Sequence, residues 1–242
     1  MSSTYDPRVY WDARLARHDG LRGTGHISFG ESYNRWLYQA KERALSRALG
    51  SRPLQGSKVL DVGCGTGYFV RWYRRRGATV TGVDISGAGI DRLRAELPGE
   101  YHVMDVTEAQ DRPLGAFEIV NVWDVLYHVV DDARFEQALS FVASNVAPGG
   151  LLLITDRLAA PGDVRIAEHV RMRCLQTYER LLSGSGLVTA GQLFLYKWLN
   201  RYVSLPPIDS KLGALYYWLD GRETKPQADN LSLGVWRRIA SS

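Results

Sequence analysis

Asp61, Gly63, Gly65 and Gly67 stand two residues apart, with the apolar stretch 58–62 leading into them and helix-compatible sequence following. A buried strand that turns abruptly into a helix reads this way. Glycines permit positive φ and let a ligand approach the main chain with no Cβ in the way. The helix that starts there points unpaired N–H groups into the turn, where negative charge is favoured. The spacing narrows the ligand. A dinucleotide fingerprint needs glycine at the sixth position counted from Gly63, and Tyr68 stands there instead. No Gly-Lys-Ser/Thr is present, which excludes a nucleoside-triphosphate loop.

Two further acids fall at predicted strand ends. Asp84 closes a strand over 79–83, near the ~20-residue offset at which a carboxylate meets a pair of ribose hydroxyls. Asp105 closes a short strand over 101–104. A near-continuous apolar strand over 117–123 runs into Asp124-Val125-Leu126-Tyr127-His128. In open α/β sheets ligands sit outside the carboxyl ends of the strands. Asn121, Trp123, Asp124, Tyr127 and His128 are therefore candidates by position. His128 and His169 are the candidate general bases. A helix reached through 163–173 and running to about residue 182 puts His169 and Arg173 on one face at i, i+4. Arg171 or Arg173 could then clamp a carboxylate or phosphate of a substrate, competing with ion pairs to Asp163, Glu168 or Glu179.

These residues need a scaffold. Helices are predicted over 7–18 and 31–49, the second with Tyr33, Trp36, Leu37, Ala40, Ala44 and Leu45 at helical spacing. This N-terminal segment, 1–50, caps the sheet or forms a substrate lid rich in aromatics (Tyr10, Trp11, Tyr33, Trp36). Strands over 58–62, 79–83, 101–104, 117–123 and 151–155 alternate with helices over 68–76, 86–96 and 135–146. Such alternation predicts a parallel sheet covered on both faces. Pro148-Gly149-Gly150 precedes the fifth strand. Beyond residue 156 the pattern weakens. A sixth strand is expected within 187–198 and a last one over 231–239, with Pro206-Pro207 and an aromatic run at 215–219 between them.

The glycine turn taken with Asp84, Asp105 and Pro148-Gly149-Gly150 resembles the class I S-adenosylmethionine (SAM)-dependent methyltransferases over roughly residues 58–239. The resemblance implies a three-layer Rossmann-like α/β fold. Its seven-stranded sheet would be mostly parallel with an antiparallel last strand, and residues 51–242 would form the methyltransferase domain. Insertions over 156–230 would build the substrate pocket. Asp84 would hold the ribose hydroxyls, Asp105 the adenine amino group with the Val106 backbone alongside, and the glycines the methionine part. The implied cofactor site is Asp61, Gly63, Cys64, Gly65, Gly67, Asp84, Ile85, Asp105, Val106 and Asn121. Tyr10, Trp11, Tyr33, Trp36, Trp123, Tyr127, Arg171 and Arg173 form the candidate substrate site.

The expected activity is methyl transfer to O or N of a small, partly aromatic or anionic metabolite, natural-product intermediates included. An RNA or protein/peptide methyltransferase is the alternative, and a non-catalytic SAM-binding regulator a third reading. The net charge of +4 and pI near 9.1 permit an anionic or RNA substrate, but no RNA-binding module or long basic tail accompanies them. No Asn/Asp-Pro-Pro-Tyr/Phe and no cysteine before a suitable proline is present, which sets amide-cradling and cytosine-C5 enzymes aside. Asp131-Asp132 reads as a helix cap more readily than a metal site, so no metal is expected. Two cysteines, Cys64 and Cys174, suggest a reducing compartment. Residues 1–3 lead into polar sequence with no signal-peptide pattern, and no run approaches the ~20 apolar residues of a membrane span. A cytoplasmic protein is expected, and a homodimer stays open.

Overall fold

The computed structural model describes residues 5–109, 113–201 and 209–240. The N-terminal segment forms α1 (Pro7–Arg17), α2 (Leu21–Thr24) and α3 (Glu31–Leu49). Then come β1 (Lys58–Val62), α4 (Tyr68–Arg74), β2 (Thr79–Asp84), α5 (Gly87–Glu96), β3 (Glu100–Val103), β4 (Phe117–Val122), α6 (Asp132–Ser144) and β5 (Val146–Asp156). A hairpin of β6 (Val164–Ala167) and β7 (Val170–Met172) precedes α7 (Leu175–Leu182), β8 (Leu187–Phe194), α8 (Asp209–Asp220) and β9 (Ser232–Arg238). Residues 1–4 and Pro206-Pro207 lie outside the described residues.

The main sheet has the order β3-β2-β1-β4-β5-β9-β8. Its first five strands run parallel, and β9 is antiparallel to both β5 and β8. Alternate side chains build two cores. Val59, Ile119, Leu151 and Leu153 pack with α3, α4 and α5 on one face, and Leu60, Val62, Val120, Val122, Leu152 and Ile154 pack with α6 and α7 on the other. Central strands buried on both sides account for the unbroken apolar runs in the sequence. The expected three-layer fold with an antiparallel last strand is what the chain adopts. No described helix is long and apolar enough to cross a membrane.

Two expectations are corrected. The stretch 163–173 does not lead into a helix but folds as the β6–β7 hairpin, in which Val164, Ile166 and Val170 favour an extended chain. Helix α7 begins only at Leu175, where Asp163 Oδ1 accepts from Cys174 N (2.9 Å) and Thr177 Oγ1 (2.8 Å). Strand β5 starts at Val146, so Pro148-Gly149-Gly150 lies inside it. The β4–β5 register shifts at that point, an irregularity that accommodates a proline. The aromatic run at 215–219 lies in α8, which packs on α3 through Trp36 and Tyr217.

Candidate active site

The turn after β1 is built as its glycines require. Gly63, Gly65 and Gly67 all have positive φ. A Cβ on Gly63 would sit 2.2 Å from Val125 Cγ2, so only glycine fits there. The N–H groups of Gly63 and Cys64 donate to Val83 O, which ties the turn to the end of β2. The next amide, Gly65 N, donates to Asp84 Oδ2 at 2.8 Å, and Ser86 N donates to Asp84 Oδ1 at 2.9 Å. Burial pushes the Asp84 carboxyl up, and these backbone donors oppose the shift without cancelling it. An ionised carboxylate offers about four acceptor positions. With Gly65 N and Ser86 N bonded and the Ile85 amide also acting on it, Asp84 keeps about one for a hydroxyl in the cavity that it lines.

Asp61 faces the same turn from inside β1. Burial raises its carboxyl to about 7, against the Asn121 hydrogen bond and with the nearby Asp84 adding to the rise. Asn121 Oδ1 in turn accepts from Trp123 Nε1 (2.6 Å) and Tyr73 Oη (3.1 Å). At the end of β3, Asp105 caps a single helical turn. Its Oδ1 accepts from Thr107 N (2.9 Å) and Thr107 Oγ1 (2.7 Å), and its Oδ2 pairs with Arg134 at 3.0 Å. One of its about four acceptor positions is left.

A cavity of about 230 Å³ runs along the carboxyl ends of β1, β2 and β4. One end is lined by Asp84, Ile85, Asp105 and Val106, the middle by Asp61, Gly63, Cys64 and Gly65, and the other end by Trp11, Tyr38, Lys41, Trp123, Asp124 and His128. Helix α1 roofs it with Trp11 and Leu15. That helix is latched down by Asp12, whose Oδ1 accepts from Ala88 N (2.9 Å) and Ser86 Oγ (3.0 Å) at the start of α5. These donors hold the Asp12 carboxyl below its ordinary value.

The far end carries charge. Lys41, on α3 and 4% exposed, pairs with Asp124 just past β4. Burial acts to lower the Lys41 pKa, and Asp124 with Tyr38 and Tyr196 more than reverses it, so the ammonium stays charged. Asp124 is the one non-glycine with positive φ among the described residues (φ 58), a conformation that costs about 1–3 kcal/mol. Next to it, His128 packs edge-on against Trp11 at 5.2 Å. Burial pushes its imidazole down to about 4, against a hydrogen bond from Nδ1 to the His169 carbonyl (3.3 Å). A carbonyl only accepts, so Nδ1 carries the proton and Nε2 the lone pair.

Residues 33–192 match the family described as Methyltransferase domain. The chain belongs to that family. It is a class I SAM-dependent methyltransferase. It is 36% identical over 173 residues to the ubiquinone biosynthesis O-methyltransferase of Paracidovorax citrulli (strain AAC00-1), covering 66% of this chain and 71% of that one. The protein of the same name from Alkalilimnicola ehrlichii (strain ATCC BAA-1101 / DSM 17681 / MLHE-1) is 37% identical over 107 residues, 42% of each chain. The fold is similar to that of the N-methyltransferase NodS from Bradyrhizobium japonicum WM9 in complex with S-adenosyl-l-homocysteine (SAH), at TM-score 0.64, 18% identity and coverage of 96% and 99%. It is also similar to magnesium protoporphyrin IX methyltransferase from Synechocystis PCC 6803 with bound SAM, at TM-score 0.61, 16% identity and coverage of 98% and 100%.

The residues present fit SAM. Asp61, Gly63, Cys64, Gly65, Asp84 and Asp105 line one continuous cavity, with acidic side chains at the end that hydroxyls and an amino group would occupy. Other predicted residues lie elsewhere in this methyltransferase. Gly67 lies outside the cavity lining and initiates α4 in the left-handed region. Asn121 is fully buried beneath the turn and orients Asp61. Tyr33 donates to Leu199 O, and Trp36 donates to Ser210 O against α8. Tyr10 packs edge-on against Trp11 outside the cavity lining, and Tyr127 is not among its lining residues either. His169 sits on the turn of the β6–β7 hairpin, its ring parallel to that of His128 with centroids 6.2 Å apart.

Arg171 and Arg173 are turned away from the cavity, because 163–173 is a hairpin and the expected helical face does not exist. Both pair with Asp132, at 2.9 and 3.1 Å, and the buried Arg173 guanidinium stacks over Phe135 at 3.6 Å. Asp131 caps α6 through Arg134 N, so both acids of that pair have structural partners. Among the described residues no group of three His, Cys, Asp or Glu is placed to hold a metal ion. Sequence reasoning missed Lys41 and Arg134. Lys41 continues the stripe of Leu37 and Leu45 at i, i+4, and a lysine on a buried stripe is itself a signal. Arg134 had no signal beyond following the Asp131 cap.

Proposed function

We propose that this methyltransferase methylates a hydroxyl oxygen of a small molecule. The observation that carries the reading is His128, a neutral imidazole lining the cavity with Nδ1 donated to a carbonyl and Nε2 left to take a proton. The names of the O-methyltransferase relatives agree with it. SAM supplies a methyl group already activated by the sulfonium charge. Asp84 would hold the ribose hydroxyls through its remaining acceptor capacity, and Asp105 with the Val106 backbone would hold the adenine edge. Asp61 and the turn from Gly63 to Gly65 flank the methionine part. Trp11, Trp123 and Phe69 wall the acceptor end against water, where orientation alone can supply about 7–11 kcal/mol in ideal cases. His128 Nε2 takes the hydroxyl proton as the acceptor oxygen forms its new bond to carbon.

The test is transfer of labelled methyl from SAM to a panel of phenols, enols, aliphatic alcohols, amines and tRNA. Hydroxyl acceptors should be labelled, and His128→Asn should lower kcat by about 10²–10⁴-fold while leaving SAM affinity nearly unchanged. Labelling confined to amines or tRNA, or full turnover in His128→Asn, would contradict the reading.

A further inference from the structure

Among the described residues at the acceptor end, the ion pair of the buried Lys41 with the half-buried Asp124 is not used by the reading above. Asp124 is locked from behind, since Thr155 Oγ1 donates to its Oδ1 at 3.0 Å and accepts from its backbone N at 2.8 Å. The Lys41 ammonium lies 4.5 Å from the centre of the Tyr38 ring, and Tyr38 Oη is 2.6 Å from Thr24 Oγ1. An ammonium has three donors. Among the described residues, the hydrogen bond recorded for Nζ goes to Asp124.

A tether between α3 and β4 would not need this arrangement. Burying an ion pair costs desolvation that a well-packed apolar pair avoids, and Asp124 holds a strained backbone as well. Strain and buried charge kept together at a cavity wall point to a ligand. The cavity chemistry says which. Lys41, Asp124 and His128 line the same end, and His128 alone is a weak base for a hydroxyl of ordinary acidity. A neighbouring cation lowers the pKa of an acid by about 1–3, which makes an acidic hydroxyl transferable and an aliphatic one not.

We propose that Lys41 binds the acceptor oxygen as its anion, so that the substrate class is phenols or enols rather than aliphatic alcohols. The inference rests on the hydroxyl-acceptor reading. The O–H bond breaks with its proton passing to His128 Nε2 and then to water. The oxygen lone pair forms the C–O bond while the methyl–sulfur bond breaks, its electron pair staying on sulfur. Anion and sulfonium charge cancel in the products, and Asp124 holds Lys41 in place throughout.

The probe is 4-nitrophenol, whose phenolate absorbs in the visible, titrated into SAH-loaded protein well below the pH at which the free phenol ionises. The wild type should show bound phenolate. Lys41→Met should bind SAH as before, lose the phenolate band and lose at least tenfold in kcat on phenols, whereas Lys41→Arg should restore the band in part. If Lys41→Met does not fold, the double variant Lys41→Met/Asp124→Asn, which buries no unpaired charge, gives the same readout. A neutral bound phenol in the wild type, or an unchanged phenolate band without Lys41, overturns the assignment and leaves hydroxyl methylation standing. Absence of phenol binding together with labelling of amines alone overturns the hydroxyl reading and this inference with it.

Discussion

The side-chain amide of Asn121 donates to Asp61 Oδ1 at 2.7 Å, directly beneath the glycine turn. The acid is fully buried and its pKa is raised to about 7. The pair therefore decides how the cavity floor responds to pH.

Asp61 is protonated more readily in the folded chain than in the unfolded chain, so its contribution to stability is present below about pH 4 and is lost as pH rises towards 7. Removing the donor worsens this. Asn121→Leu should cost about 1–3 kcal/mol at neutral pH, the usual penalty of a buried group left without its partner. The loss should shrink at acid pH, where Asp61 is neutral. Urea unfolding at several pH values checks the sign, and a pH-independent loss would show that Asn121 acts through Trp123 and Tyr73 instead.

The latch on α1 should govern cofactor exchange. Asp12→Ala removes the acceptor for Ala88 N and Ser86 Oγ and frees the roof formed by Trp11 and Leu15. Stopped-flow fluorescence should show SAH leaving several-fold faster, with α1 cleaved sooner by protease. The fold should persist, because the two cores are built by other elements.

Arg173 should matter for stability and not for acceptor affinity. Its guanidinium is buried over Phe135 and pairs with the half-exposed Asp132. Arg173→Ala leaves a void over Phe135, while Asp132 keeps Arg171 as its partner, and should cost about 1–3 kcal/mol. KM for the acceptor should stay within about twofold. A large KM rise at unchanged Tm would return this arginine to the substrate.

The strand ends were readable because a doubly covered parallel sheet demands long apolar runs, and the turn at Gly63 because a side chain there would meet Val125. Asp84 was readable as the acid that closes β2. The region from Asp156 was not, because a helical i, i+4 pattern and a short β-branched hairpin both suit Val164 to Arg173. Only the Asp163 cap on Cys174 and Thr177, a contact across eleven residues or more, separates them. Lys41 was hidden differently. Its helix follows from the apolar spacing, but a lysine among apolar residues ordinarily carries its charge out to water, so its burial is not evident from spacing. Asn121 stands at the expected strand end and is buried against Asp61, a distinction that strand register alone does not make.

Asp84 and Lys41 line one cavity, whose ends the proposed function assigns to the methyl donor and its acceptor. The measurement that tests this most directly is a crystal structure of the protein with SAH. The account predicts the ribose hydroxyls on Asp84, the adenine amino group on Asp105, and the sulfur opening towards His128 Nε2 and Lys41 Nζ. Sulfur directed away from that pair, or a ribose with no contact to Asp84, would contradict it.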